Sequence, residues 1–145
     1  MASSAVVDKF LQAIENAAIG SCDAWGSGAT LDATVPNWRM HVLGPDAIRA
    51  EYARWFADPG RFEELRRYPV RDGAAGGSAA GGSATEVSAT EVVEYTLSWS
   101  ENGVPHAAHH LHVLTVRDDL IVSDTVFCGG RWPAALLAEM EAAND

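Results

Sequence analysis

Histidines recur at alternate positions in the stretch VPHAAHHLHVLTVRDDLIVSDTVFC. The stretch predicts two strands, 104–117 and 119–128, joined by a short acidic turn, and alternate residues of a strand point to the same face. His110 and His112 therefore share a face, and Asp124 of the second strand is expected to lie on the matching face. Imidazole titrates near neutral pH and can accept or donate a proton there. The pattern predicts acid–base chemistry on an otherwise apolar sheet face.

The pairing of His112 with Asp124 predicts an oriented base. The carboxylate would fix one ring nitrogen and leave the other free for a substrate, while His110 would act as a polarising donor. The alternative is a core or rim histidine satisfied by a backbone carbonyl or by solvent. Asp124 favours the functional interpretation, because a buried carboxylate is unstable unless it is paired. The alternative is that the strand of Asp124 presents its other face to the core, which would leave Asp124 in solvent.

The same side chains also allow a metal site. His110 and His112 could ligate one zinc or iron ion with His106, Asp124 or Cys128. No paired cysteine motif accompanies them. The chain is therefore predicted to use no metal and no other cofactor.

The predicted pocket is lined by aromatic and apolar side chains. On the second strand the face is expected to hold Leu120, Val122, Asp124, Val126 and Cys128. The residues predicted to contact a substrate are Trp38, Tyr95, Trp99, Val126 and Cys128. Each of them would otherwise simply fill the core.

Charge and length narrow the class of protein. The formal charge of −10 and scattered basic residues argue against nucleic acid, because binding phosphates needs clustered lysine and arginine. No run approaches the length of a membrane span, and the N-terminus lacks the features of a signal peptide, so a cytoplasmic protein with no membrane partner is expected. One domain covering residues 1–145 is predicted.

Hydrophobic periodicity and turn signals place the remaining elements. A first helix is predicted from a cap at Ser3 or Ser4 to a stop at Gly20, and a second opens at Pro45 with Tyr52 on its apolar stripe. A C-terminal helix follows Pro133. The other predicted strands are 29–35, Trp38–Leu43, 61–70 and 90–100.

A Gly/Ala/Ser-rich segment, residues 72–85, is predicted to be a flexible loop insertion lengthened by local duplication.

Asn102 and Gly103, which follow the predicted strand 90–100, predict a hairpin turn, since both tolerate positive φ. The following strand is apolar on both faces, with Leu111 on one and Leu114 on the other. The second face is therefore expected to be covered by the C-terminal helix or by a second subunit, and a homodimer is predicted.

Two stretches carry a family resemblance: ATLDATVPNWRMHVLGPDAIRAEYARWF at 29–56 and NGVPHAAHHLHVLTVRDDLIVSDTVFCGG at 102–130. They resemble the NTF2-like superfamily, which includes ketosteroid isomerase and SnoaL-like polyketide cyclases. The resemblance implies an α+β cone, with a curved antiparallel sheet packed on N-terminal helices and a short C-terminal helix. It also implies a small hydrophobic molecule bound inside the cone.

The resemblance also implies roles for particular positions. His112 lies where ketosteroid isomerases place an acid in their oxyanion hole. Their general-base aspartate would fall at Ala33, with Asp32 on the neighbouring face. SnoaL-like cyclases instead use acid–base residues on the later strands, which agrees with His110, His112 and Asp124.

Two functions follow as hypotheses. The first is a cofactor-free enzyme of cyclase, isomerase, dehydratase or hydrolase type that acts on a small hydrophobic or polyketide-like substrate. The second is a non-catalytic small-molecule-binding or dimerisation module. An open cone with His112 bonded to Asp124 would favour the first, and a cavity closed by Trp38, Tyr95 and Trp99 would favour the second.

Overall fold

Three α-helices and eight strands are found in residues 4–70 and 88–145, the part of the chain that this computed structural model describes. The helices are α1 (Ala5–Glu15), α2 (Pro45–Trp55) and α3 (Ala134–Ala143), and a 3₁₀ turn spans Ile19–Ser21. The strands are β1 (Trp25–Val35), β2 (Trp38–Leu43), β3 (Gly60–Phe62), β4 (Arg66–Val70), β5 (Ser88–Glu101), β6 (Val104–Arg117), β7 (Leu120–Cys128) and β8 (Trp132–Pro133). The predicted loop 72–85 lies outside the described residues.

The strands form one curved, open sheet in the order β2-β1-β7-β6-β5-β3. In addition, β4 pairs with β5 and β8 with β6. All neighbours are antiparallel except β1 and β7, which run parallel, so the sheet is mixed rather than purely antiparallel as predicted. The two long hairpins have the expected turns, with positive φ at Asn102 and Gly103 and at Asp118 and Asp119. The predicted α+β class is confirmed.

The N-terminal helices pack on one face of this sheet. In α1 the buried residues recur with helical spacing and include Phe10 and Ile14, and α2 buries Ile48 and Tyr52. α1 ends at Glu15 rather than at Gly20, because Ala17 adopts a left-handed conformation and closes the helix.

The inner face of the sheet differs from the prediction on β7. The β6–β7 register shifts between Thr115 and Val116, which leaves an extra residue on β7. An extra residue reverses the alternation of side chains. Ile121 is therefore fully buried, whereas Leu120 and Val122, which were predicted to face inward, are only partly buried. Beyond the bulge the prediction is correct.

Two other strand boundaries also differ. Residues 61–70 form the two short strands β3 and β4, because Glu64 has a positive φ and interrupts the extended backbone. β1 begins four residues earlier than the predicted strand, at Trp25, whose ring packs edge-on against Phe10 at 5.6 Å. Trp25 is thus a core residue.

The outer face of the sheet receives little cover from the C-terminal helix. None of the residues of α3 is buried, and Phe127 on the outer face is 48% exposed. The homodimer stays a prediction. Within the two described ranges, no helix combines the length and apolar character needed to cross a bilayer.

Candidate active site

Strands β5, β6 and β7 and helix α2 bring a set of polar side chains together inside the apolar core. Tyr95 of β5 lies directly opposite His110 of β6, and His112 lies one alternation further along the same strand. Asp124 is opposite Leu114, so it is a diagonal neighbour of His112. Tyr52 reaches the cluster from the buried stripe of α2. The sheet register therefore determines the order of these groups.

The five groups form one continuous hydrogen-bonded chain. Tyr52 Oη donates to Asp124 Oδ2 at 2.5 Å, and His112 Nδ1 lies 3.0 Å from Asp124 Oδ1. His112 Nε2 lies 2.8 Å from Tyr95 Oη, which in turn lies 3.0 Å from His110 Nδ1. We call this series of side chains the buried relay.

Burial makes these hydrogen bonds obligatory. Asp124 is 1% exposed and His112 is fully buried. A carboxylate removed from water needs strong donors, and Tyr52 and His112 supply one to each oxygen. Burial and the nearby Asp124 raise the pKa of both Tyr52 and Tyr95 well above that of a free phenol. Both tyrosines therefore keep their protons.

The donor and acceptor roles follow from the two oxygens of Asp124. These oxygens accept from Tyr52 and from the Nδ1–H of His112, which leaves the Nε2 of His112 as the acceptor in its bond with Tyr95. Tyr95 then donates to that Nε2 and accepts from His110 Nδ1–H. In this arrangement His110 is the Nδ1–H tautomer, and its Nε2 carries a free lone pair.

His110 is the member of the relay that reaches open space. It lines a cavity of about 370 Å³, and its ring contacts Trp55 and Phe56 at centroid distances of 5.7 and 5.6 Å. Burial, together with the neighbouring His112 and His109, lowers the pKa of His110 from 6.5 to about 3. His110 is therefore a neutral base at physiological pH.

The cavity combines an apolar wall with a few polar groups. It is lined by Val35, Pro36, Met40, Arg54, Trp55, Phe56, Leu97, Trp99, Ala108, His110, Cys128, Gly130 and Arg131. Such a cavity is the usual form of a small-molecule site, where a few polar groups orient a largely apolar ligand.

The predicted substrate-contact residues fall in three places. Trp99 and Cys128 line the cavity, whereas Tyr95 belongs to the relay and Val126 is fully buried outside the cavity wall. Trp38 is 69% exposed beside the β1–β2 turn and does not line the cavity.

Met40 lines the cavity in place of Trp38. Both side chains belong to β2, two positions apart, and Trp38 pairs with Val35 at the end of that strand, where the sheet offers it no cover.

Burial raises the pKa of the Cys128 thiol, which accepts a hydrogen bond from the Gly130 amide at 3.3 Å.

One detail of the predicted site is wrong. The second ring nitrogen of His112 was expected to be free for a substrate, but it is bonded to Tyr95. Cross-strand geometry explains the difference, since the Tyr95 hydroxyl reaches both histidines of the same face. His110, rather than His112, lines the cavity. His112 and Asp124 are in contact and buried, as the predicted pair requires.

Sequence reasoning missed Tyr52, Arg54 and Arg131 as residues of the site. Tyr52 was read as part of an apolar helical stripe. A signal was present, because a tyrosine in such a stripe must find a hydrogen-bond partner for its hydroxyl. The two arginines carry no local signal, because the cavity they line is assembled from distant segments.

The ketosteroid-isomerase comparison can be checked at Ala33. Ala33 is fully buried on the inner face, while Asp32 lies on the outer face and is paired with Arg39 at 2.8 Å. The site therefore has no carboxylate at the position where that mechanism places its base.

The other histidines lie outside the relay. His106 stacks on Trp99 at 5.7 Å, and His109 faces outward and contacts Glu94 and Thr96. In the part of the chain that the structure describes, no group of three or more His, Cys, Asp or Glu side chains is arranged to hold a metal ion.

Comparison with solved structures identifies the fold. An NTF-2 like protein of unknown function from Burkholderia xenovorans LB400 has a TM-score of 0.50 and 18% identity, with 86% of this chain and 80% of the other covered. A ketosteroid isomerase-like protein from Erwinia carotovora atroseptica SCRI1043 has a TM-score of 0.55 and 16% identity, with 86% and 91% covered. A phenazine biosynthesis-related protein, phzb2 from Pseudomonas aeruginosa, has a TM-score of 0.55 and 12% identity, with 85% and 74% covered.

These similarities show that the chain has the NTF2-like fold, as the sequence predicted. No family model matches the sequence. No curated protein matches it at a significant level. At identities this low the likeness shows the fold alone, because one fold carries many functions.

Proposed function

We propose that the protein is an enzyme that moves protons on a small hydrophobic or polyketide-like substrate, using only its own His, Tyr and Asp side chains. Cyclisation, isomerisation, dehydration and hydrolysis all use such chemistry. The observation that carries the proposal is the buried relay, which begins at Tyr52 and Asp124 and ends at His110 in an open cavity. The similarity of the fold to a ketosteroid isomerase-like protein and a phenazine biosynthesis-related protein agrees with an enzyme.

His110 is the general base of the proposed reaction. Its Nε2 takes a proton from the substrate, and its Nδ1 proton passes to Tyr95 Oη. The Tyr95 hydroxyl proton passes at the same time to His112 Nε2, so Tyr95 begins and ends neutral. The positive charge then rests on His112, against the Asp124 carboxylate. Reversal of these transfers returns a proton to the substrate at the same or another atom.

The relay removes a difficulty that His110 alone would face. Its pKa of about 3 means that a proton held on this imidazole is strongly acidic at neutral pH. On His112 the charge lies beside Asp124, whose Oδ1 is 3.0 Å from His112 Nδ1 and offers an opposite charge in a medium that screens little. Asp124 thus orients His112 and stabilises its charged form, the same division of roles as in a catalytic triad.

The rival function, a binding or dimerisation module, needs no buried relay. A ligand-binding cavity can be formed from apolar side chains and one or two donors. Burying a carboxylate, two imidazoles and two phenols is energetically demanding without a functional gain. The cavity of about 370 Å³ beside His110 is common to both functions, so the preference for an enzyme rests on the relay.

A substrate-independent test uses 5-nitrobenzisoxazole, a flat aromatic probe. A single base removes its one reactive C–H proton, the electron pair forms a nitrile, and the N–O bond breaks to release a phenolate. At about pH 8, His110→Gln is expected to lower the rate by about 100-fold or more, the usual contribution of a general base. Tyr95→Phe, which interrupts the relay, is expected to lower the rate by a smaller factor.

His41→Gln is the matched control, because this imidazole is 67% exposed and lies outside the relay. Its rate should equal that of the unsubstituted protein. A rate that is indistinguishable between His110→Gln and the unsubstituted protein, or a rate no higher than that of buffer, would contradict the proposal.

A further inference from the structure

The described wall of the cavity beside His110 carries two cations and no carboxylate. Arg54 and Arg131 line it, and no aspartate or glutamate does. The chain as a whole has twenty acidic and ten basic residues and a formal charge of −10. The charged groups on the cavity wall are thus all basic, although each is paired with a glutamate that does not line the cavity.

Each cavity arginine belongs to a cluster of the same composition. Glu51 accepts from Arg54 at 2.5 Å and from the indole N–H of Trp55 at 2.9 Å. On the other cluster, Glu101 pairs with Arg131 and accepts from the indole N–H of Trp99 at 2.9 Å. The arginine and the tryptophan of each cluster line the cavity, while the glutamate does not. Each glutamate therefore orients an arginine and a tryptophan of the cavity wall without lining the cavity itself.

Both guanidinium groups can also bind a ligand. A guanidinium has five N–H donors, and its contact with one carboxylate oxygen leaves the others free to pair with an anion. Hydrogen bonding to Glu51 raises the pKa of Arg54, so it stays charged. The Arg131 guanidinium lies 5.2 Å from the centre of the Trp99 ring, which keeps its plane beside an aromatic surface.

We propose that the cavity selects a flat hydrophobic substrate that bears a carboxylate, with the acid bound by Arg54 and Arg131 and the ring system against Trp55 and Trp99. This inference rests on the proposed acid–base function only for the placement of the reacting atom at His110. Charge-assisted, bidentate hydrogen bonds are the reason that arginine is the usual partner of a carboxylate.

The test measures binding, so it does not depend on turnover. The two probes are 2-naphthoate and 2-naphthamide, which share their shape and differ in charge. Isothermal titration calorimetry reports their affinities, and the expected preference for the acid is about tenfold at low ionic strength. The double substitution Arg54→Gln with Arg131→Gln is expected to abolish this preference.

Two further variants separate charge from shape. Arg131→Lys keeps the charge and should retain part of the preference, whereas Arg131→Gln should lose more of it. Arg39→Gln is the matched control, because Arg39 is also paired with a carboxylate but does not line the cavity. It should bind both probes as the unsubstituted protein does.

The outcomes distinguish this inference from the proposed function. His110→Gln should keep the preference for 2-naphthoate even though it loses proton transfer. Equal affinity for the two probes, no saturable binding of 2-naphthoate, or a preference that survives the double arginine substitution would overturn the inference. Each of these results would leave the test of His110 as a base unaffected.

Discussion

Replacing His110 should change how the stability of the protein depends on pH. The pKa of His110 is lowered from 6.5 to about 3, chiefly by burial. Between these two values the unfolded chain binds a proton at His110 that the folded chain does not. Stability therefore falls as the pH falls through 6.5, and the loss is complete near pH 3.

The size of the effect follows from the two pKa values. Each pH unit below 6.5 reduces the free energy of unfolding by about 1.4 kcal/mol through this one group. At pH 5 the loss relative to pH 8 is about 2 kcal/mol, and near pH 3 it is about 5 kcal/mol. In His110→Gln this contribution is absent.

Urea denaturation at a series of pH values measures the difference in stability between the unsubstituted protein and His110→Gln. Between pH 8 and pH 5 the unsubstituted protein should lose about 2 kcal/mol of stability relative to His110→Gln, whatever the difference between the two at pH 8. His41→Gln, which removes an exposed imidazole, is the matched control and should follow the unsubstituted protein. A difference for His110→Gln that stays constant with pH would refute the assignment of His110 as a buried neutral base.

Two further predictions concern buried polar contacts. Tyr52→Phe removes the hydroxyl that donates to Asp124 and should lower the free energy of unfolding by about 2 kcal/mol, because a buried carboxylate loses a donor. Arg67→Met removes the ion-pair partner of Glu91, a carboxylate that is only 5% exposed. This substitution should lower the free energy of unfolding by about 2 kcal/mol, a value between those for exposed and fully buried ion pairs. Both are measured by urea denaturation at about pH 8.

Each of these changes has a matched control on the surface. Tyr68→Phe removes a hydroxyl from a ring that is 50% exposed and should leave stability almost unchanged. Arg39→Met breaks an exposed pair with Asp32 and should have a much smaller effect than Arg67→Met. Equal losses in either matched pair would contradict the burial argument.

The sequence predicted the part of the site that depends on strand alternation. His110, His112 and Asp124 were expected on one face, and the hairpin from 104 to 128 brings them together. Alternation alone does not explain this success, because the register set by the turn at Asp118 would place Asp124 opposite Val113 on the outer face. The bulge moves Asp124 opposite Leu114, on the face that holds both histidines. The bulge on β7 was not predictable, since it depends on how Ile121 packs in the assembled core.

The remainder of the site depends on contacts between distant segments. Tyr52 lies 72 residues from Asp124 in the chain, and Arg54 and Arg131 meet the cavity from opposite halves of the sequence. The spacing of residues along the sequence does not show which distant segments come into contact. The sequence also could not show that His110, rather than His112, faces the cavity. That outcome depends on the position of the Tyr95 hydroxyl, which bonds to both histidines.

The central claim is that the relay leaves a bare nitrogen of His110 facing the cavity. Nitrogen-15 NMR of the histidine side chains tests it most directly, with His110→Gln and His112→Gln used to assign the signals. At about pH 8 the account predicts that His110 and His112 are both neutral Nδ1–H tautomers, with an unprotonated Nε2 on each. A His110 that carries its proton on Nε2, or that is charged, would contradict the account.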